Sequence, residues 1–552
     1  MNPFTCVRWL ICVMVFLSLA TAGHAQDNTE RSSDGGDRPA DNGDPPASTT
    51  EPGEEPIEIV GEAAELAPLE SERLLNPVPL TGVERETFKE RPSTRRLGDV
   101  INRLPGVFMG GPPGENKDIR LRGLDKEFTR FEFDGVQLPG GGEKREFQVN
   151  RLSPLLVGEL KVIRNPTAEY ESDGIAGRVI VEPRPIPEDW RVDLRGGGGV
   201  LEGSDTELIE GGVSIGKMLT DRFGFNATFD FTRQPLIKDK VKRKFKDGVL
   251  DETEIEEEEK PTDSFNFVLD TVWKYDAGEF HFKPLFFDLE EDKEKEKLKT
   301  KPGKDPELEL EDEIKEQTTW GLAITNEHTF RNGWRLESEV GYYSTTEDKE
   351  KTKPTFKGGG GGFTLDKTEL EEEEKEDEFW EIKSKLTVPH QWFVPSELQT
   401  GFHLRFRDRF RTKEKIEIKA SDGSVSDKGE AKDDYFLEEN LLMGFVQNEF
   451  FITDRFSVLP GVRVEHTMLD ARSGAGEEDD RSFTDVNPSL HLLFRATDTL
   501  TFKSAVSRGL NRPKFDEIAP FVDEKGDRFV EGNPDIDPAR SWNFDVGVEY
   551  AT

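Results

Sequence analysis

The sequence has 552 residues and carries 113 Asp and Glu against 74 Lys and Arg, a formal net charge of −39. That length exceeds one compact soluble core, so several domains or one large barrel is expected, and the acidic balance excludes a nucleic-acid partner, whose phosphates need a basic face. Hydrophobic residues make up only 34%, and no stretch past residue 20 approaches the roughly 20 apolar residues of a membrane-spanning helix.

In chain order, residues 1–25 combine Arg8, an apolar run from Trp9 to Ala20 and small residues ending in Ala22-Gly-His-Ala25. This is the three-part form of a secretory signal, with cleavage expected after Ala25; the run is too short for an anchoring helix. Its removal takes away Cys6 and Cys12, the two cysteines of the chain, so disulfides and thiolate metal sites are not expected in the mature part. Residues 26–55 are rich in Asp, Gly, Pro, Ser and Thr and cannot offset their ordering entropy, which predicts a disordered acidic linker.

Residues 62–187 show a mixed α/β pattern. Ser93 to Leu104 reads as a helix with Leu97, Val100, Ile101 and Leu104 on one face, ended by Pro105-Gly106. Short strands are predicted at Ile119–Gly123, Phe131–Val136, Glu159–Arg164 and Arg178–Val181. From Arg91 to Pro187 there are 16 basic and 14 acidic residues, so this small domain would be attracted to the acidic remainder of the chain.

From Trp190 onward the period becomes two. Phe223, Phe225, Ala227, Phe229 and Phe231 share one face while Gly224, Asn226, Thr228 and Asp230 share the other. Fourteen such segments are centred near residues 196, 212, 227, 269, 284, 322, 340, 382, 404, 443, 462, 490, 504 and 546. Short links with hairpin residues, such as Asp276-Ala-Gly278 and Arg331-Asn-Gly333, alternate with long charged ones near 235–262, 289–314, 346–378, 412–434, 470–482 and 510–540. Strands of a soluble propeller or sandwich run ~5–6 residues, whereas these reach the roughly 9–11 that cross a bilayer at a tilt. Residues 188–552 are therefore expected to form a mainly β, transmembrane antiparallel barrel with a small α/β domain N-terminal to it.

The order Leu104-Pro-Gly-Val107, Ile119-Arg-Leu-Arg-Gly123, Phe133-Asp-Gly-Val136, Leu160-Lys-Val-Ile-Arg-Asn-Pro166 and Tyr170-Glu-Ser-Asp-Gly-Ile-Ala-Gly177 resembles the plug of TonB-dependent outer-membrane receptors. Asn165 stands where that family commonly has Gly. Glu55-Pro-Ile-Glu-Ile-Val-Gly61 resembles the Ton box that precedes the plug. The resemblance implies an active importer in the outer membrane of a Gram-negative bacterium, a receptor and not an enzyme. A scarce ligand, most often a ferric siderophore, binds outside, and the inner-membrane TonB protein pulls the plug. Ile57, Glu58, Ile59, Val60 and Gly61 would pair with TonB as an added strand. Plug tips including Met109, Gly110, Asn116, Gln137, Glu143 and Arg145 would bind the ligand. Arg120, Arg122, Arg130 and Arg164 would face lumen carboxylates such as Asp230, Asp270 and Glu465. The rival readings are a passive pore or adhesin and, with no His/Ser/carboxylate grouping to support it, an outer-membrane enzyme. Family barrels have 22 strands, so fourteen predict an incomplete, C-terminally truncated barrel.

Other motifs carry less. Gly212-Val-Ser-Ile-Gly216 matches a hydrolase pattern but sits inside an alternating strand. Gly358 to Gly362 and Gly196 to Gly199 lack the Lys-Ser/Thr of a phosphate loop, which leaves a loop tip and close packing on the plug. The acidic runs Glu256–Glu259 and Glu371–Glu374 are expected at loop tips as solvated faces, with loose divalent-cation binding as the alternative. No resident metal or cofactor is expected. None of the seven His lies in a long loop or plug tip, and Tyr435 is the one Tyr assigned to a loop, so a haem ligand is not expected.

Overall fold

A computed structural model of the chain describes residues 76–77, 80–84, 96–111, 115–143, 145–430, 433–525 and 528–550. All of them belong to the second of two units, Ala63–Thr552. The predicted signal, linker and strip 56–61 lie outside the described residues.

The N-terminal domain contains β1 (Leu80–Glu84), α1 (Leu97–Ile101), β2 (Val107–Gly110), β3 (Asp118–Leu121), β4 (Thr129–Phe133), β5 (Val157–Ile163) and β6 (Gly177–Pro183). Its sheet has the order β1-β5-β6-β4, and β2 and β3 form a separate hairpin. β4 runs parallel to β6, and the other neighbours are antiparallel. The helix buries Leu97, Val100 and Ile101 as the pattern requires. Two predicted strands end early because consecutive residues turn through positive φ: Arg122 and Gly123 after β3, and Asp134 and Gly135 after β4.

This domain fills a large antiparallel wall. In chain order the wall comprises β7 (Arg191–Val200), β8 (Glu207–Met218), β9 (Phe223–Gln234), β10 (Ile237–Lys246), β11 (Val249–Glu259), β12 (Thr262–Tyr275) and β13 (Gly278–Thr300). It continues through β14 (Glu307–Thr329), β15 (Arg335–Gly359), β16 (Gly362–Gln391), β17 (Pro395–Lys419), β18 (Val425–Asp427), β19 (Tyr435–Thr453), β20 (Phe456–Ser473), β21 (Glu478–Arg495) and β22 (Leu500–Asn511). After α2 (Phe515–Ile518) and the hairpin β23 (Val522–Lys525) and β24 (Arg528–Glu531), β25 (Ala539–Tyr550) returns to the wall. Each predicted centre falls in one of β7–β9, β12–β17, β19–β22 and β25. Antiparallel ladders link these fourteen from β7 to β25, with register shifts at Thr355/Phe356 on β15 and Phe451/Thr453 on β19. The sheet order sets β25 beside β7, and outward Leu194 and Val546 there are 79% and 85% exposed.

Plug and wall share one core. Leu97, Ile101, Leu121, Phe133, Leu160 and Val179 cluster with the inward Phe287, Tyr343 and Phe379 of the wall, and Phe133 meets Phe287 edge to face at 5.5 Å. The outward face carries aromatic residues at two levels. Trp273, Trp334 and Trp392 lie near the short turns, and Trp320, Tyr342 and Trp380 form a row further along the strands, with ring centroids 5.0–5.1 Å apart and planes tilted by 51°.

Beyond that second level the structure corrects the sequence reading. The segments 289–314 and 346–378 and the first part of 412–434 are not loops but continuations of β13–β17, which run 23 to 30 residues. The cause is alternating charge. On one face Lys rows on β10, β13 and β15 and an Arg/Lys row on β17 alternate with Glu rows on β11, β14 and β16, giving Lys238–Glu258 (2.6 Å), Lys297–Glu309 (2.6 Å), Lys295–Glu311 (2.8 Å), Lys349–Glu371 (3.0 Å) and Lys413–Glu371 (3.2 Å). Single exposed pairs contribute little, but repeated cross-strand pairs favour this register over any other. The acidic runs 256–259 and 371–374 are therefore strand residues, not loop tips, and their alternate members Glu256, Glu258, Glu371 and Glu373 pair with Lys. Gly358 to Gly362 does form a tip, the β15–β16 turn, with Gly362 at φ 121°. The close approach to the plug occurs not at Gly196 to Gly199 on β7 but at Gly212 on β8, where a Cβ would lie 2.8 Å from Leu155.

Candidate functional site: the seam between plug and wall

On β17 every second side chain points inward, and the sequence Arg405-Phe-Arg-Asp-Arg-Phe-Arg-Thr-Lys-Glu-Lys415 puts six cations on that face. The stripe connects two cavities. An inner one of about 380 Å³, on the short-turn side, is lined by Arg405 with Glu132, Tyr170, Arg178, Lys283 and Lys383 among others. An outer one of about 280 Å³ is lined by Arg411, Lys413, Lys415 and Lys428 with Glu143 and Asp516 among the acids. Between them Arg407 and Arg409 are buried.

The plug closes the space between the cavities through two carboxylates. Glu143 Oε1 lies 3.2 Å from Arg409 Nη2 and 3.9 Å from Arg411 Nε, and Oε2 accepts the Tyr435 hydroxyl at 2.6 Å. Deeper in, Glu171 lies 2.8 Å from Arg512 and 3.1 Å from Arg405. Burial alone would raise the Glu171 carboxyl, but the guanidiniums of Arg405 and Arg512 hold it well below the usual carboxylate range. Asp173 is gripped by Arg130 through two hydrogen bonds of 2.8 and 2.9 Å, and the Ser172 backbone N–H donates to Glu465 at 2.8 Å. α2 presents Phe515, over whose ring Arg145 and Arg409 stack at 4.0 and 4.5 Å.

The tip that carries Glu143 is held by its backbone. Gln317 donates to the Gly140 carbonyl at 2.8 Å and Thr345 to the Pro139 carbonyl at 2.9 Å. Gly141 sits at φ 69°, a conformation that favours glycine, and a Cβ there would lie 2.5 Å from the Gln317 side-chain nitrogen and have to displace it.

Two family models match the chain: a TonB-dependent receptor plug domain over residues 74–178, and a TonB-dependent receptor-like β-barrel over residues 262–552. The chain belongs to the TonB-dependent receptor family. Among curated relatives, this receptor is 21% identical over 525 residues to a probable TonB-dependent siderophore receptor, PirA, of Acinetobacter baumannii, covering 87% of this chain and 65% of that one. It is 20% identical to an iron-regulated outer membrane virulence protein of Vibrio cholerae, covering 86% and 64%. The chain thus spans slightly less than two thirds of the length of these relatives. Among solved structures, the unliganded ferric citrate transporter FecA superposes with a TM-score of 0.60 at 14% identity (87% of this chain, 68% of that one), and the copper transporter OprC with 0.58 at 12% (86% and 69%). These likenesses show the fold.

The predicted site residues of the receptor are dispersed. Glu143 lines the outer cavity and Gln137 the inner one. Arg145 is buried against Glu439, Asn116 donates to Asp99 at 2.9 Å, and Gly110 on β2 packs on Arg120 beside Met109. Of the four arginines expected to reach lumen carboxylates, Arg122 does so, at Asp545 (2.6 Å), and Arg130 reaches Asn511 (3.1 Å) while pairing mainly within the plug. Arg120 instead pairs with Asp125 at 3.2 Å and Arg164 donates to the Pro105 carbonyl, both inside the plug. Of the named carboxylates, Glu465 accepts from the plug's Ser172 and Asp230 shares a hydrogen bond with the plug's Ser153 besides accepting from Asn266, whereas Asp270 pairs with His281 on the wall. Tyr435 opens β19 and is buried, not loop-borne. Sequence reading missed the β17 stripe, although its Arg-x-Arg-x-Arg-x-Arg spacing was visible. Arg512 and Glu439 lacked any such signal because their plug partners are more than 290 residues away in sequence.

Proposed function

We propose that this receptor sits in the outer membrane and imports a scarce ligand, a ferric siderophore in the first instance, using energy delivered by TonB. The observation that carries the reading is the plug's position: its tip closes the space between an outer and an inner polar cavity through hydrogen bonds and ion pairs, which a pull on the plug could break. The relatives' names, a siderophore receptor and an iron-regulated outer membrane protein, support iron chelates as the ligand class. Ile57 to Gly61 would pair with TonB by strand addition. Ile59→Pro removes a backbone donor from that strip and is expected to abolish uptake while ligand binding persists; equal loss of both would sink the assignment. Growth under iron, cobalamin or carbon limitation, with and without the gene, identifies the ligand class.

A further inference from the structure

The wall sites that hold Glu143 and Glu171 have the make-up of oxyanion sites. Around Glu143 a guanidinium N–H from Arg409 and the Tyr435 hydroxyl each address a different carboxylate oxygen, and Arg411 stands 3.9 Å away at the edge of the outer cavity. Around Glu171, Arg512 and Arg405 grip the second carboxylate from two sides. In both cases the cations belong to the wall and the anion to the plug. If the plug yields, Arg409, Tyr435, Arg405 and Arg512 all lose an acceptor at once, and the three arginines keep their wall partners Asp377, Glu381 and Glu465. Arg407 lies between the two sites on the same face of β17, against Asp377.

We propose that Glu143 and Glu171 are internal stand-ins for the carboxylates of an anionic ligand, and that the inward face of β17 passes such a ligand from the outer cavity to the inner one as the plug yields. The proposal rests on the importer reading and narrows it to chelates that bear free carboxylates. Such a ligand enters the outer cavity on Arg411, Lys413 and Lys415, displaces Glu143 from Arg409 and Tyr435, and later takes the place of Glu171 between Arg405 and Arg512. Charge at each site is conserved because one carboxylate replaces another. The cost of stripping the plug from the wall therefore falls only when an anion is present.

The test uses the full chain in detergent micelles with ferric citrate as the anionic probe and an uncharged ferric trihydroxamate as control, binding being read by tryptophan quenching. Glu143→Gln keeps shape and removes the competing charge, and is expected to tighten ferric citrate by about tenfold while leaving the uncharged chelate unchanged. Adding Arg409→Gln should cancel the gain. Heat-modifiable mobility reports folding, and Glu143→Asp, which keeps the charge but shortens its reach, should fall between wild type and Glu143→Gln. Unchanged or weaker ferric citrate binding in folded Glu143→Gln, or an equal shift with the uncharged chelate, overturns the proposal. TonB-dependent uptake by wild-type cells is measured in parallel: its absence alongside tightened binding would remove the importer reading and leave the stand-in intact. Its presence without tightening removes the stand-in alone.

Discussion

Arg145 of the plug and Glu439 of the wall form a bidentate pair, two hydrogen bonds of 2.8 Å each between buried side chains. Arg145 also donates to the Pro513 carbonyl at 2.8 Å, so one guanidinium ties the plug tip both to β19 and to the segment leading into α2. Removing one member of such a pair strands the other charge and costs about 3–5 kcal/mol. Arg145→Ala is therefore expected to loosen the tip well before the wall unfolds, seen as faster hydrogen exchange at 137–147. Arg145→Ala with Glu439→Ala should be milder than the sum of the two single changes; strict additivity would show that the pair does not hold the tip.

Gly141 gives a second handle on the same tip. At its φ of 69° a side chain is strained, and a Cβ there would have to displace the ends of the Gln317 and Glu347 side chains. Gly141→Val should cost roughly 1–2 kcal/mol from the left-handed backbone alone, and more from displacing Gln317. The expected result is exposure of Arg409 and easier access to the outer cavity. A variant whose ferric citrate affinity and exchange pattern match wild type would argue against a tip held this closely.

The charged extension of β13–β17 should depend on register and ionic strength. Lys295→Glu with Lys297→Glu faces Glu311 and Glu309 with like charge. Limited proteolysis is expected to cut within 289–314 in this variant and to spare wild type at low salt. Raising salt toward 1 M, where screening reaches about 3 Å, should sensitise wild type in the same place. Resistance of both proteins under both conditions would mean that the extension is held by its backbone ladders alone.

Much of this architecture was legible in the sequence because it rests on local periodicity. Phe223 to Phe231 announces β9 by alternation, and Leu97, Val100 and Ile101 announce α1 by helical spacing. The extension was misread because Glu and Lys suggest solvent-exposed loops when each strand is taken singly; their strand character emerges only when Lys295 finds Glu311 on the neighbouring strand. The seam was less legible still. Arg122 reached its wall carboxylate as the charge balance suggested, but at Asp545 and not at any acid named from sequence. Arg145 and Glu439 are 294 residues apart, and nothing in either neighbourhood announces the other.

Acid should dissolve the extension from its carboxylate side. Burial on its own would raise Glu309 and Glu311, but hydrogen bonds from Lys297 and Lys299 to the first, and from Lys295 and Lys293 to the second, pull both down to about 2. In an unfolded chain a Glu titrates near about 4.3. A depressed carboxylate contributes stability that is present above its unfolded value and is lost as pH falls through the folded one. The extension should therefore be intact at pH 5 and loosen progressively between about 4 and 2. Lys293 and Lys299 are raised above their ordinary value because Glu313, Glu311, Glu309 and Glu307 outweigh the effect of burial, so their contribution is present at neutral pH and disappears only in strong alkali. Hydrogen exchange across 289–314 from pH 7 down to pH 2 checks this. Glu311→Gln should shrink the acid-dependent change, because a group that cannot be protonated has no stabilisation to lose; an undiminished change in that variant would place the acid sensitivity elsewhere.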